Sequence, residues 1–151
     1  MKKISAGLLM FRIHDNVLQI LLIHPGGPFW ANKDMGAWSI PKGEVKEGED
    51  LLTTAKREFK EEIGIEPTEP FYSLGSVTHK SGKEVHAWAF EGDCDPSKIV
   101  SNTCEIEWPP KSGEKITIPE VDKAEFFDIP TAVTKLNSAQ VLLLSGLKNL
   151  T

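Results

Sequence analysis

The order of hydrophobic and polar positions predicts most of the elements of this chain. Residues 5–13, SAGLLMFRI, and 17–24, VLQILLIH, flank the polar triplet His14, Asp15 and Asn16. This reads as two strands joined by a tight turn. The second run is nearly continuous in apolar residues, the pattern of a strand buried on both faces and central in its sheet. Residues 25–38, rich in Gly and Pro, fit neither period. They read as a long loop, either functional or a surface excursion pinned by Phe29 and Trp30. Trp38, Ser39 and Ile40 then alternate briefly, which predicts a short strand leading into Gly43. From residue 51 the period changes. Leu51, Leu52, Ala55, Phe59 and Ile63 form a stripe at helical spacing, opened by the acidic pair Glu49 and Asp50 and closed by Gly64 and Pro67.

Two more runs, 71–78 and 84–90, are expected to form a hairpin around His79-Lys80-Ser81-Gly82. Residues 91–115 read as irregular apart from a short strand at 103–108, and a last strand is expected at 124–128. Pro130 suits the first turn of a helical C-terminus, with Val141, Leu142, Leu144, Leu147 and Leu150 on its stripe and a break near Asn137. No repeat or linker interrupts the 151 residues, so residues 1–151 are expected to be a single domain. The order of strands and helices predicts an α/β fold, a mixed sheet covered by helices on both sides.

Composition narrows this reading. Charged residues make up 26% and hydrophobic residues 40%, which argues against disorder and against a membrane span. A net charge of −5 lacks the basic footprint of a general nucleic-acid binder. Cys94 and Cys104 have neither CxxC spacing nor a nearby histidine pair, so no zinc site is expected. The apolar run after Met1, Lys2 and Lys3 is soon interrupted by Arg12, His14 and Asp15, unlike a secretory signal. Free thiols in a reducing cytoplasm are the expectation.

The candidate chemistry lies between Gly43 and Ile65. Glu58, Glu61 and Glu62 occupy positions i, i+3 and i+4, so three carboxylates share one side of the helix, where like charges repel. They lie mostly off the apolar stripe, which lets the helix pack one face and offer the other to a ligand. A hard divalent cation such as Mg²⁺ or Mn²⁺ would neutralise the cluster. Lys42, just before Gly43, is placed to offset phosphate charge beside it.

Gly43, Glu49, Arg57, Glu58, Phe59, Glu61, Glu62, Gly64 and Ile65 match the Nudix box without substitution, and the chain resembles the Nudix hydrolase family. The resemblance implies a Nudix fold, an α/β/α sandwich with a central mixed β-sheet. It also implies Mg²⁺-dependent cleavage of a phosphoanhydride bond in a nucleoside diphosphate derivative, with a dinucleoside polyphosphate or a nucleoside triphosphate as the small-molecule substrate. Carried over residue by residue, Glu58 and Glu62 are metal ligands, Glu61 a further ligand or base, and the Gly43 carbonyl a completing ligand. Arg57 pairs with Glu49 and orients the loop and Glu58. A carboxylate from before the last strand is expected to join them. Glu120 is favoured as that outside ligand or base, with Glu105 and Glu107 behind it. Glu58, Glu61 and an outside carboxylate all remain candidates for the general base.

The stretch from Trp38 to Gly43, WSIPKG, resembles the diadenosine tetraphosphate hydrolase branch and marks Trp38 and Lys42 as substrate contacts. That branch usually has histidine where this chain has Glu44, and its tyrosine lies farther from the box than Tyr72. HPGGPFWANKD and SNTCEIEWPP resemble a bacterial Nudix subgroup of predicted pyrophosphohydrolases. Lys83, opening the strand after the hairpin, is the best further phosphate contact among His24, His79, Lys80 and His86. Trp30, Trp88 and Trp108 are candidates for stacking on a base or for packing. Two other functions compete: removal of pyrophosphate from RNA 5′ ends, and a nucleotide-binding sensor without catalysis.

Overall fold

A computed structural model of the chain describes residues 3–147; Leu150 of the expected C-terminal stripe lies outside them. The first two strands, β1 (Ile4–His14) and β2 (Val17–Pro25), form the expected hairpin. Its turn places Asp15 at φ 51° and Asn16 at φ 65°, a left-handed conformation that Asp and Asn tolerate better than other side-chain-bearing residues.

After β3 (Lys42–Glu44) and α1 (Leu51–Ile63) come β4 (Tyr72–Thr78) and β5 (Glu84–Glu91). The main sheet runs β4-β5-β1-β2 and ends on β8 (Val121–Asp128), with β3 paired to β1 off this path. The β1–β5 pair is parallel and the other pairs are antiparallel, so the sheet is mixed. The central strand is β1 rather than β2. Lying between β1 and β8, β2 is interior, and its apolar run reports burial on both faces, not position.

The sheet is forked, and the fork positions the site. β1 pairs with β2 through Phe11–His14, but its earlier residues Ser5, Ala6 and Gly7 pair with Glu44, Gly43 and Lys42. Farther along β2, the Ile23 N–H donates to the Ser39 carbonyl at 2.8 Å, and the Ser39 N–H donates back at 3.0 Å. Residues 39–44 are thus wedged between β1 and β2. Trp38 and Ser39 make isolated bridges, and the ladder strand of this stretch is β3, slightly later than expected.

Alternation along the strands feeds two cores. Leu9, Phe11, Ile20, Leu22, Val85, Ala87 and Ala89 face one side, covered by α2 (Ile129–Lys135), a 3₁₀ turn (Ser138–Leu143) and α3 (Leu144–Leu147). Leu8, Met10, Leu21, Ile23 and Phe90 face the other, where Ala55, Phe59 and Ile63 of α1 pack. The expected break near Asn137 is real, because Leu136 is extended and Asn137 caps the 3₁₀ turn. Leu142, expected on the stripe, is 71% exposed.

The second sheet is a hairpin of β6 (Thr103–Glu107) and β7 (Lys115–Pro119). Only Lys115 of β7 falls in the stretch that reads as irregular, and no strand is expected over the rest of it. No helix among the described residues is long and apolar enough to cross a membrane.

Candidate active site

Helix α1 begins where Asp50 accepts from the Thr53 N–H and ends on Gly64 at φ 85°, a left-handed cap position that suits glycine. Glu49 sits just outside the helix. Its carboxylate accepts from Arg57 Nε at 2.9 Å and Nη2 at 3.0 Å, from the Thr54 hydroxyl at 2.6 Å and from the Lys46 N–H. This bidentate pair, with Thr54 as the next largest cause, pulls the Glu49 carboxyl down to about 2. It also closes the loop between β3 and α1. Arg57 Nη1 donates to Glu58 at 2.8 Å and to Glu61 at 3.3 Å. One guanidinium therefore braces three carboxylates, as the expected Arg57–Glu49 pairing requires.

The three helix glutamates are unequal. Glu61 is the most exposed, Glu58 is largely covered, and Glu62 is only 7% exposed. Glu62 Oε2 is buried with no hydrogen-bond partner among the described residues. Desolvation first, then the Glu58 charge, pushes the Glu62 carboxyl well above 4.5. Desolvation also raises Glu58, against the opposing pull of Arg57. The Glu120 charge acts on both groups.

Gly43 explains how Glu58 reaches the loop. A side chain at Gly43 would occupy the space of the Glu58 carboxylate, so glycine here lets that carboxylate lie against the β3 backbone. Glu120 arrives just before β8 on a fixed backbone. Its N–H donates to the Asn102 carbonyl at 2.9 Å and its carbonyl accepts from the Gly26 N–H at 3.1 Å.

A cavity of about 280 Å³ opens beside these groups and is lined by both Glu62 and Glu120. Lys42 continues its wall, followed by Ser39, His79, Asn137 and Gln140, with Ile23, Pro25, Trp30 and Trp38 on the apolar side. Burial first and Lys83 second pull the Lys42 ammonium down, while Glu62, Glu58 and Glu44 oppose them. The cavity wall thus combines two carboxylates, a lysine and a set of neutral polar groups.

Other expected site residues fall elsewhere. Lys83 is outside the cavity wall, although its charge bears on Lys42 and His79. Trp38 is 2% exposed, donates to Asp34 at 2.8 Å and meets His24 and Phe127 edge to face. That narrows its expected substrate contact to the rim it offers the cavity. Glu105 and Glu107 are exposed on β6, where Glu107 accepts from the Lys111 N–H. His24 is buried between Asp122 and the Lys33 carbonyl, and His86 pairs with Glu84. Trp88 packs into the core on the α1 side, while Trp30 lines the cavity beside Phe29. Both cysteines are free thiols raised mainly by burial.

Sequence reasoning did not single out Gln140. Its signal was available, because residues 136, 140, 143, 144 and 147 follow a helical apolar spacing in which Gln140 is the polar exception.

Among the described residues no three carboxylates, imidazoles or thiols already converge at metal-ligating distance. The donors nevertheless suit a hard cation. Glu58, Glu62 and Glu120 are oxygen donors, the Glu120 charge raises the charging cost of Glu58 and Glu62, and the unpaired Glu62 Oε2 lacks a hydrogen bond that a buried carboxylate requires.

The NUDIX domain family model matches residues 1–140. Bis(5'-nucleosyl)-tetraphosphatase [asymmetrical] of Rattus norvegicus is 34% identical over 99 residues, covering 58% of this chain and 63% of that protein. RNA pyrophosphohydrolase of Caulobacter vibrioides is 38% identical over 80 residues, covering 49% of this chain and 46% of that protein. The chain thus spans less than two thirds of either curated relative. The structure of a C. elegans Ap4A hydrolase binary complex superposes with a TM-score of 0.68 at 20% identity, covering 97% of this chain and 96% of the other.

Proposed function

The chain belongs to the NUDIX domain family, and from that premise we propose that it is a Mg²⁺- or Mn²⁺-dependent pyrophosphohydrolase. Its substrate is a nucleoside diphosphate derivative, either a dinucleoside polyphosphate or a nucleoside triphosphate, cleaved at a phosphoanhydride bond. The observation that carries this reading is the buried, unpaired Glu62 Oε2, set between the charges of Glu58 and Glu120 at the wall of a cavity shared with Lys42.

Glu58, Glu61, Glu62, Glu120 and the Gly43 carbonyl would hold the metal. When bound, it would neutralise the carboxylates, polarise the attacked phosphorus and lower the pKa of a bound water. The protein's own groups do the rest. Arg57 holds Glu58 and Glu61 in place and anchors them to Glu49. Lys42 meets the phosphate charge on the cavity wall, and Lys83 adds positive potential from outside it. Hydrolysis forms one P–O bond to the oxygen of water and breaks the bridging P–O bond. The water proton passes to Glu58, Glu61 or Glu120, of which Glu120 lines the cavity.

The name of the rat relative supports a dinucleoside polyphosphate. That of the Caulobacter relative supports a second reading, removal of pyrophosphate from RNA 5′ ends. A sensor without catalysis is disfavoured because every box glutamate is present.

One screen separates these readings. The protein is incubated with Mg²⁺ or Mn²⁺ and diadenosine tetraphosphate, GTP, ADP-ribose, NADH or triphosphorylated RNA, and products are identified by mass. Metal-dependent release of a nucleoside monophosphate or a shortened nucleotide from a small molecule is expected. Turnover of RNA alone selects the second reading, and tight nucleotide binding without any product refutes both.

A further inference from the structure

The neutral polar groups of the cavity wall form a hydrogen-bond chain whose directions can be worked out from its donors. Gln140 is fully buried. Its Oε1 accepts from the Ile40 N–H at 3.1 Å, which leaves its amide nitrogen as the donor on the other side. That nitrogen faces Ser39 Oγ at 3.1 Å and His79 Nε2 at 3.4 Å. Ser39 Oγ already donates its only hydrogen to the Ile40 carbonyl at 2.7 Å, so it must accept from Gln140. The amide orientation is therefore fixed from both ends.

His79 Nε2, facing an N–H donor, is an acceptor. Burial first, then the charges of Lys42 and Lys83, lowers the His79 pKa below 6.5, so the ring is neutral near pH 7. Its single proton is left on Nδ1, which has no protein partner among the described residues. The backbone is pinned as well, since the His79 N–H donates to the Lys83 carbonyl at 2.8 Å and the His79 carbonyl accepts from the Gly82 N–H at 2.9 Å. His79 also lines an adjoining cavity of about 270 Å³ shared with Lys80 and Asn137.

We propose that His79 is a specificity-determining residue, held by Gln140 in the Nδ1–H tautomer and donating one hydrogen bond to an acceptor atom on the substrate's nucleobase. A base suits this cavity because Trp30, Trp38 and Ala37 supply apolar wall alongside the uncharged Ser39, His79, Asn137 and Gln140. The inference rests on the hydrolase reading and names which protein group reads the substrate. Gln140 acts only through His79, as a positioning residue.

The tautomer is read directly from two-bond ¹⁵N–¹H correlations of histidine-labelled protein at pH 7, with His79→Asn assigning the signal. Nδ1–H is expected in the wild type. Gln140→Leu should release the ring to Nε2–H, the tautomer that free histidine prefers, and Gln140→Glu should put a proton on Nε2 because a carboxylate there can only accept. Kinetics on diadenosine tetraphosphate and GTP supply the second test. His79→Asn, whose amide nitrogen replaces Nδ1, should keep KM near the wild-type value. His79→Gln should raise KM about tenfold with kcat unchanged, the effect of one lost hydrogen bond. An Nε2–H or charged ring in the wild type, an unmoved tautomer in both Gln140 variants, or equal KM for the two His79 variants overturns the proposal. Absence of all turnover sinks the hydrolase reading instead, while the spectra still decide the state of His79.

Discussion

Glu62→Gln should make the metal-free protein more stable and inactive at the same time. The carboxylate is 7% exposed, one oxygen has no partner, and its neighbours Glu58 and Glu120 are also acidic. A buried polar group left unsatisfied costs about 1–3 kcal/mol, and more when charged. A neutral amide of the same shape removes the charge term. At this chain length about 1 kcal/mol shifts Tm by roughly 2–4 °C, so a rise on the order of 2–12 °C is expected in EDTA. The pH dependence has a definite sign. Because the folded-state pKa is raised above 4.5, the folded protein holds the Glu62 proton more tightly than the unfolded chain does. The wild type therefore loses stability as pH rises from about 4.5 through the folded-state pKa. The variant should lack that loss. Calorimetric melts in EDTA across this range measure both effects, and Mg²⁺ should raise the wild-type Tm but not that of the variant. A variant that melts below the wild type in EDTA near neutral pH would refute the claim that burial and the Glu58 and Glu120 charges outweigh the compensation Lys42 gives Glu62.

Gly43→Ala should displace the Glu58 carboxylate, a flexible group, rather than unfold the protein. The expected result is a Tm within a few degrees of wild type and at least about a hundredfold loss of Mg²⁺-dependent turnover, given that supporting residues alone cost about 10–100-fold; full activity would count against a Glu58 role. Phe59→Ala removes a fully buried ring that meets Phe90 edge to face, and should cost about 3–5 kcal/mol in urea unfolding. Glu49→Gln should remove stability that is present above about pH 4.5 and is lost as pH falls toward about 2, so wild type and variant should converge in acid melts.

The helix and its chemistry were legible because their signals are local. Asp50, the apolar stripe and Gly64 lie within a few turns, and the box residues form one contiguous segment. Non-local features were harder to read. Nothing in the run 39–44 announces that it will sit between β1 and β2, because that pairing depends on where those strands diverge. β7 carries only the alternation of Ile116 and Ile118 in a polar stretch and was passed over. The helical spacing puts Glu62 on an open helix face, yet it is buried at the cavity wall that it shares with Lys42 of β3. Gln140 was hidden for the opposite reason, since a polar residue at an apolar spacing looks like noise until its partners are known.

The Asn102–Glu120 hydrogen bond joins the two ends of the β6–β7 hairpin. That excursion leaves the fold and returns to it at a single gate. Insertions or deletions at its tip can change its length without moving Glu120. Its base still matters, because Pro119 lies beside Gly26, and Ile118 and Ile106 lie beside Gly27, at the root of the loop that carries Trp30. Divergence in the hairpin therefore has a route to the width of the cavity that bypasses the acidic centre. Under the proposed function, a descendant of this chain could change what it accepts while keeping the bond it breaks.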